Sequence, residues 1–299
     1  MSLIVVGSVA FDTIETSYGR REKTVGGSAT YCALAASFFT NPKIVAVVGE
    51  DFPSETLQFL KSRGIDTRGV QLKSGKTFHW EGKYGEDPNK RTTLKLELNV
   101  FKNFKPQLHP EYRKQEIIFL GNIDPDLQLD IVSQVEKPKL IAMDTIDHWI
   151  QNKPQSLLEV MEKVDVFFAN DEEVKMLAQE KNLVKAGRKL VEKGPSLMVI
   201  KKGEHGALLL GRDFVFGILA HPCEEVIDPT GAGDCFAGGF LGYLDKIQSY
   251  EWKNIREAAV FGSVQASYAI EDFGINRFKN LSFSQITQRF KEFRHMVSF

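Results

Sequence analysis

The chain has 299 residues, of which 42% are hydrophobic and 26% charged, a composition typical of a globular protein that buries a large core in one or two domains. Lysine and arginine number 38 against 39 acidic residues, and the net charge of -1 excludes the strongly basic balance of most polyanion-binding proteins. Cys32, Cys223 and Cys235 are widely spaced and form no CxxC pair, so we expect reduced thiols rather than disulfides or a metal site.

The N-terminal sequence carries no secretion signal that we can identify. Strand-like sequence starts within the first seven residues, and no apolar run approaches the length needed to cross a bilayer. We therefore expect a cytoplasmic protein without a membrane partner, and the charge balance gives no reason to expect a nucleic-acid partner.

Two short segments open the chain. Residues 3–6 predict a buried strand, and residues 10–14 a second segment that contains Asp12. Asp12 is predicted to lie just past a strand end, where open α/β sheets bind ligands, although by itself this residue is better explained as an ordinary turn or capping aspartate. Gly26 and Gly27 then precede an alanine-rich helical stretch that contains Tyr31.

Two runs of alternating residues predict a small sheet. Residues 77–84 and 91–98 alternate in polarity, and residues 85–89 form a turn between them. Strands of this kind have one apolar face, which something else must cover.

The middle of the chain alternates strands and helices regularly. Strands are predicted at residues 117–120, 140–143, 166–169 and 197–200. Helical stretches are predicted near residues 127–134, 155–164, 172–178 and 184–192. This order favours right-handed βαβ units and a mainly parallel sheet, whose strand ends collect ligands.

Each of these strands is followed by candidate functional residues. They are Gly121 with Asn122, Asp144 with Thr145, Asn170 with Glu173, and the segment 201–203. Asn170-Asp-Glu-Glu173 is also a good helix start, since capping and the helix dipole favour such residues there.

The most specific stretch is Val226-Ile-Asp-Pro-Thr-Gly-Ala-Gly-Asp-Cys-Phe-Ala-Gly-Gly-Phe240. The apolar residues before Asp228 predict a strand end, and Gly231 and Gly233 predict a tight turn into a helix. The N–H groups of Ala232, Gly233 and Asp234 would then face one point, where a phosphate is favoured. Because its carboxylate would repel a phosphate, Asp234 is predicted to take a proton from an attacking hydroxyl.

Residues 228–239 of this stretch resemble the C-terminal signature of the ribokinase-like carbohydrate kinases, the PfkB family, which includes ribokinase, fructokinases and adenosine kinase. The resemblance implies a three-layer α/β/α fold with a mainly parallel central sheet, in a single domain over residues 1–299. It further implies a small β-sheet lid, formed here by roughly residues 10–25 and 77–100, that serves in relatives for dimer contacts as well. ATP and Mg²⁺ would be the cosubstrate and the metal.

The resemblance also assigns acceptor-side residues. Asp12 would hydrogen-bond substrate hydroxyls, and Gly26 and Gly27 would let the backbone approach the substrate. The family commonly has asparagine four residues after the second glycine, where this chain has Tyr31. An aromatic ring there favours a planar or less hydroxylated substrate, unless Tyr31 only packs within its helix.

Further assignments concern the phosphate side. By resemblance, Asn170 and Glu173 organise the phosphates and the Mg²⁺, which Glu173 would hold through water. Lys202 and Gly203 match a segment that lines the nucleotide. The helix 255–268, with Gly262, matches the adenine pocket, and Thr230, Gly231 and Gly233 lie beside the phosphates. Asp228 and Thr230 match a monovalent-cation loop, for which K⁺ is the candidate ion.

The sequence thus predicts an ATP-dependent kinase that acts on a primary hydroxyl of a small sugar-like substrate, with Asp234 as base and the turn from Gly231 as anion site. A nucleoside kinase is the alternative, favoured by Phe11, Tyr31 and the lid aromatics. A non-catalytic sugar or nucleotide sensor with the same fold is the alternative from another class.

Overall fold

A nine-stranded sheet forms the centre of the computed structural model, which describes residues 3–297. The strands of the whole molecule, in chain order, are β1 (Leu3–Val6), β2 (Ala10–Thr16), β3 (Gly19–Gly26), β4 (Lys43–Gly49), β5 (Asp66–Lys73), β6 (His79–Tyr84), β7 (Arg91–Glu97), β8 (Ile117–Leu120), β9 (Leu140–Asp144), β10 (Val166–Asn170), β11 (Leu197–Lys201), β12 (Ala207–Leu210) and β13 (Val215–Ile218).

Helices connect most of these strands. They are α1 (Ser28–Ala36), α2 (Ser54–Ser62), α3 (Pro125–Gln134), α4 (Asp147–Asn152), α5 (Pro154–Met161), α6 (Asp171–Ala178), α7 (Leu183–Val191), α8 (Ala232–Ile247), α9 (Trp252–Ala269), α10 (Asn276–Lys279) and α11 (Phe283–Met296), with short 3₁₀ turns at Asn99–Asn103 and Gly203–His205.

The large sheet has the order β13-β12-β11-β10-β9-β8-β1-β4-β5. All neighbouring strands from β11 to β5 run parallel, and β12 and β13 are antiparallel additions at one edge. The central strands are apolar along their whole length because helices cover both of their faces. The mainly parallel sheet predicted from the sequence is confirmed.

Alternate residues of each strand face two separate cores. Leu3 and Val5 of β1 belong to one core, which packs against α1, α8 and α9, whereas Ile4 and Val6 belong to the other, against α3, α5 and α7. Helix, sheet and helix therefore form three layers, as the sequence predicts. Small residues set the spacing in the first core: a Cβ on Gly238 of α8 would lie 2.2 Å from the carbonyl oxygen of Cys32 in α1.

A separate four-stranded sheet, β3-β2-β6-β7, forms the lid. Its outer face is polar and carries ion pairs, such as Lys83 with Glu15 at 2.7 Å and Arg20 with Glu81 at 2.9 Å. On its inner face Ile14 and Tyr84 pack against Phe273. The observed strands coincide with the two segments that the sequence assigns to the lid, except that β3 ends one residue later, at Gly26.

Three local predictions are wrong. Asp12 lies inside β2 rather than past a strand end, because the chain turns into the lid directly after β1. No strand leads to Asp228; Val226 and Ile227 lie in a loop, and the N–H of Ile227 donates to the carbonyl of Ile270 at the end of α9. Phe11 does not face a ligand, since it is buried in the α1 core against Phe52 at 5.6 Å.

The remaining expectations concern thiols and membranes. Cys32, Cys223 and Cys235 are free cysteines. Within residues 3–297, no helix combines the length and the apolar character that a bilayer span requires.

Candidate active site

The signature turn, residues 228–234, joins the chain to the N-terminus of α8. Gly231 caps the helix at φ +78°, in the left-handed region, and a Cβ there would lie 2.4 Å from the ring of Tyr31. Only glycine fits this position. The first N–H groups of a helix have no partner within it, so Gly233 and Asp234 can present theirs to an anion. The N–H of Ala232 already makes a long bond of 3.3 Å to the carbonyl of Pro229.

Three carboxyl side chains, Asp144, Glu173 and Asp234, form what we call the carboxyl cluster. Asp144 ends β9, Glu173 lies in the first turn of α6, and Asp234 lies in the first turn of α8. Burial, and then the charge of Asp144, raise the pKa of Asp234 to about 7, against the opposing effect of Lys201. A carboxylate with a pKa near neutrality suits a general base.

Lys201 is the cation at the centre of this cluster. Its Nζ donates to Oδ2 of Asp144 at 2.6 Å and lies 3.0 Å from where a Cβ of Gly233 would be. Burial alone would lower its pKa, but the charges of Asp144 and Glu173 raise it above the usual value. The ammonium group therefore stays protonated against the signature turn.

The sequence assigns Lys202 to the nucleotide, and the structure places the neighbouring Lys201 at the carboxyl cluster and the signature turn. Lys202 is the residue before the 3₁₀ turn at Gly203–His205, and its N–H donates to Gly206 at 2.8 Å. The missed signal is the strand boundary: Lys201 is the last residue of β11 and pairs with Asn170, the last residue of β10. A residue at the end of a parallel strand lies at the same edge of the sheet as the ends of the neighbouring strands.

Asn170 and Glu173 form a reciprocal capping box at the start of α6. The side chain of Asn170 accepts from the N–H of Glu173 at 2.8 Å, and Oε2 of Glu173 accepts from the N–H of Asn170 at 2.7 Å. Burial, opposed by Lys201, raises the pKa of Glu173 to about 7. The capping alternative is thus confirmed, and it fixes Glu173 within the carboxyl cluster.

Asp12 lies on the other side of the cleft, on the lid. Its carboxyl group is buried and accepts from the N–H of Gly27, and burial followed by the charge of Asp228 raises its pKa to about 8. A Cβ on Gly26 would lie 1.8 Å from Oδ2 of Asp12, so glycine is required for this approach. The charge of Asp234 also contributes to the raised pKa of Asp12, so the two carboxyl groups are close enough to interact.

Tyr31 lies in the core next to Gly231 and Gly26. It is 1% exposed, and its ring covers both Gly231 and Gly26. Its hydroxyl has no hydrogen-bond partner within the described part of the chain. This placement favours the packing interpretation, in which Tyr31 supports the two glycine turns from below.

The cation loop and the nucleotide-side residues lie around the turn. Oδ1 and Oδ2 of Asp228 each accept a backbone N–H at 2.9 Å, from Thr230 and Gly274 respectively. The hydroxyl of Thr230 donates to the Tyr84 hydroxyl of the lid at 3.2 Å. Gly262 is buried where α9 crosses α8, and a Cβ there would lie 2.8 Å from the carbonyl oxygen of Phe236.

One row of residues crosses the inner face of the lid. Asp12 of β2 pairs with Trp80 of β6, and Trp80 pairs with Leu96 of β7. Residues paired in this way point to the same side of a sheet. The row therefore places the indole ring of Trp80 beside Asp12, and the exposed Leu96 on the far side of Trp80.

Comparison with known proteins gives a consistent result. The family described as pfkB family carbohydrate kinase matches residues 1–280. The chain is 34% identical over 250 residues to a cytidine kinase of Thermococcus kodakarensis, covering 81% of this chain and 88% of that protein. It is 31% identical to a ribokinase of Haemophilus influenzae, covering 91% and 93%.

A solved structure shares the fold. The nucleoside kinase of Methanocaldococcus jannaschii, described as an archaeal member of the ribokinase family, superposes with a TM-score of 0.78 at 22% identity and covers 98% of this chain and 99% of its own. The family match spans the lid, the strand ends and the signature turn alike. The chain therefore belongs to the pfkB family and is a carbohydrate or nucleoside kinase.

Proposed function

We propose that this kinase transfers the γ-phosphoryl group of ATP to the primary hydroxyl of a nucleoside. The observation that carries the choice of acceptor is the row of Asp12, Trp80 and Leu96 on the inner face of the lid. Asp12 can accept hydrogen bonds from hydroxyl groups, and Trp80 and Leu96 offer an apolar surface next to it. Neighbouring strands of a sheet are about 4.8 Å apart.

The two parts of a nucleoside would bind to different members of this row. Asp12 would accept hydrogen bonds from the sugar hydroxyls, and the base would lie along Trp80 and Leu96. Leu96 is 52% exposed, so an apolar surface remains for a ligand to cover. The likeness to a cytidine kinase at 34% identity supports this choice over a free sugar.

The transfer would use the other side of the cleft. Asp234 would take the proton of the primary hydroxyl as its oxygen bonds to the γ-phosphorus, and the bond between that phosphorus and the β–γ bridging oxygen would break to release ADP. The N–H groups of the signature turn and the ammonium group of Lys201 would stabilise the charge on the phosphoryl oxygens. Enclosure of the bound substrates by the lid would keep water from competing for the phosphoryl group.

The residues present fit a magnesium ion that keeps most of its waters. Among the side chains of residues 3–297, no three His, Cys, Asp or Glu groups converge as a metal cage, whereas Glu173 offers one buried carboxylate beside Lys201. Mg²⁺ prefers such oxygen donors together with substrate phosphates. When bound through water to Glu173, it would neutralise charge on the ATP phosphates.

A monovalent ion at Asp228 and Thr230 also stays a prediction. Burial raises the pKa of Asp228, while hydrogen bonds from Gly274 and Thr230 oppose this. A buried carboxylate of this kind is a fitting neighbour for K⁺, whose charge would oppose the rise in the pKa. Its role would be to fix the turn that Thr230 leads into.

A sugar acceptor is the second candidate function. Asp12 would serve the hydroxyls of any sugar, and the likeness to a ribokinase at 31% identity favours this alternative. A sensor without activity is disfavoured, because Asp234, Lys201 and the anion turn remain assembled. A lid homodimer and a cytoplasmic location stay predictions; light scattering and cell fractionation test them.

The test is ADP release with ATP and Mg²⁺ across cytidine, uridine, adenosine, ribose and fructose. We expect at least a tenfold higher kcat/KM for one or more nucleosides than for ribose, because the base adds apolar burial at Trp80. Equal or better use of ribose or fructose would contradict the nucleoside proposal and favour the sugar kinase.

A further inference from the structure

A chain of three polar side chains crosses the outer face of the lid. Oγ1 of Thr13 in β2 lies 2.9 Å from Nε2 of His79 in β6, and Nδ1 of His79 lies 3.1 Å from Oε2 of Glu97 in β7. We call these three residues the lid triad. They join three of the four lid strands through side chains, in addition to the hydrogen bonds between their backbones.

The lid triad lies directly behind the row that crosses the inner face of the lid. Each of its members is the chain neighbour of one member of that row, and the pairs are Thr13 with Asp12, His79 with Trp80, and Glu97 with Leu96. Successive residues of a strand point to opposite faces of the sheet. The triad and the row therefore share the same three stretches of backbone.

The hydrogen bonds of the lid triad have one consistent direction. The Thr13 hydroxyl accepts the N–H of Lys23 at 3.2 Å, which leaves its own proton for Nε2 of His79. The proton of the neutral imidazole is then on Nδ1, from which it is donated to Glu97. This hydrogen bond, followed by one from Lys95, lowers the pKa of Glu97 and keeps it a carboxylate acceptor.

The lid triad also supports a β-bulge beside Asp12. The register of β2 and β3 shifts by one residue between Asp12 and Ile14, so that two residues of β3 lie opposite Thr13 alone. One of these two is Lys23, whose φ of +50° lies in the left-handed region that lysine rarely adopts. Because a bulge changes the direction of the side chains near it, the bond from Lys23 to Thr13 fixes how Asp12 points.

The order of hydroxyl, imidazole and carboxylate is also that of an activated nucleophile. Thr13 is only 3% exposed, however, so an acyl or phosphoryl donor cannot reach its oxygen. A triad that is closed to substrates can act on the reaction only through the residues that it holds in place. The residue that it holds most directly is Asp12, which is adjacent to both Thr13 and the bulge.

We propose that Thr13 and His79 are positioning residues that aim Asp12 at the acceptor. His79 ties β6 to β2 through Thr13, and Thr13 in turn holds the bulge of β3, so the carboxyl group keeps one direction. Neither residue touches the substrate. This inference rests on the proposed function, because it takes Asp12 as the group that binds the hydroxyls of the acceptor.

A set of substitutions on the lid tests the proposal. Thr13→Val removes the hydroxyl but keeps a β-branched side chain that suits a strand, Thr13→Ser keeps the hydroxyl, and His79→Phe removes both ring nitrogens. Lys95→Ala is the matched control, since Lys95 lies on the same face and pairs with Glu97 at 3.0 Å, outside the bonds that tie β6 to β2. Asp12→Asn and the double variant Thr13→Val with Asp12→Asn complete a double-mutant cycle.

The values of kcat and of KM for ATP and for the best acceptor of the panel are measured for each variant, together with thermal unfolding. We expect Thr13→Val and His79→Phe to raise the KM of the acceptor about tenfold and to change the KM of ATP less than twofold, since the signature turn is untouched. Thr13→Ser should stay within threefold of the parent protein, and Lys95→Ala within twofold. In the Asp12→Asn background, Thr13→Val should add less than a further twofold, because the triad acts through Asp12.

Two results would overturn the proposal while leaving the proposed function intact. One is an acceptor KM within twofold of the parent protein in both Thr13→Val and His79→Phe, although Asp12→Asn raises it. The other is a double variant whose loss equals the product of the two single losses, which would mean that Thr13 acts independently of Asp12. An acceptor KM that Asp12→Asn leaves unchanged would instead overturn the assignment of Asp12 to the acceptor, and this inference with it.

Discussion

The signature turn and the lid differ in how firmly the structure holds them. The signature turn leads into the buried helix α8. Gly231 and Gly238 allow α8 to pack in close contact with α1. The lid is a thin sheet with a polar outer face, and its inner row ends in the exposed Leu96. Under the proposed function, the transfer chemistry would lie at the buried turn and the choice of acceptor on the more exposed lid, a division that would allow one reaction to serve different substrates.

The strongest test of this division removes the base. Asp234→Asn should lower kcat by about 10³-fold or more, because the amide cannot take the proton of the acceptor hydroxyl. The affinity for ATP, measured by calorimetry, should stay within a few-fold, since the amide keeps the shape of the site. Near-normal turnover in this variant would exclude Asp234 as the base.

A second test separates the chemistry of Lys201 from its structural pairing. Lys201→Met should lower kcat about 10²-fold and should also destabilise the fold by about 3–5 kcal/mol, because Asp144 is left as a buried, unpaired charge. The double variant Lys201→Met with Asp144→Asn should regain most of the stability in urea unfolding but not the activity. Recovery of both together would mean that Lys201 acts only through stability.

A third test addresses the lid. Trp80→Ala should raise the KM for a nucleoside about tenfold, as expected for lost burial of an aromatic ring, and should change the KM for ribose less than twofold. Trp80→Phe should keep most of the nucleoside affinity. Lys83→Ala, on the outer face of the lid, is the control and should alter neither KM; equal effects of Trp80→Ala on both acceptors would place the base elsewhere.

The smallest expected effects concern pH. Because the pKa of Asp234 is about 7, raised mainly by burial, kcat/KM should increase several-fold as the pH rises through 7 and more of the base is ionised. The stability of the ligand-free protein should change in the opposite sense. Burial raises the pKa values of Asp12 to about 8 and of Glu173 to about 7, so the folded state binds more protons than the unfolded one.

Thermal unfolding tests the predicted fall in the stability of the ligand-free protein with rising pH. Stability should be greatest near pH 4 as far as these groups are concerned, and should fall as the pH rises towards 8. Asp234→Asn should flatten the fall, because it removes one of the titrating groups. A midpoint that rises steadily between pH 5.5 and 8.5 would contradict the buried, protonated state of these acids.

The sequence by itself determined the parts of this protein that depend on short stretches. The alternation of apolar strands and helices predicts the parallel sheet. The stretch from Asp228 to Gly239 predicts the signature turn with Asp234, because turn geometry and helix N-termini depend on neighbouring residues. The capping box of Asn170 and Glu173 is local for the same reason.

Only the tertiary structure decided which distant residues meet. Strand order brings Lys201, rather than its neighbour Lys202, to Asp144, and strand register aligns Asp12 with Trp80 and Leu96. The same register turns Phe11 into the core, since a shift of one residue along a strand changes the face on which a side chain lies. Pairings between strands far apart in the chain set these positions, and no local pattern of residues specifies them.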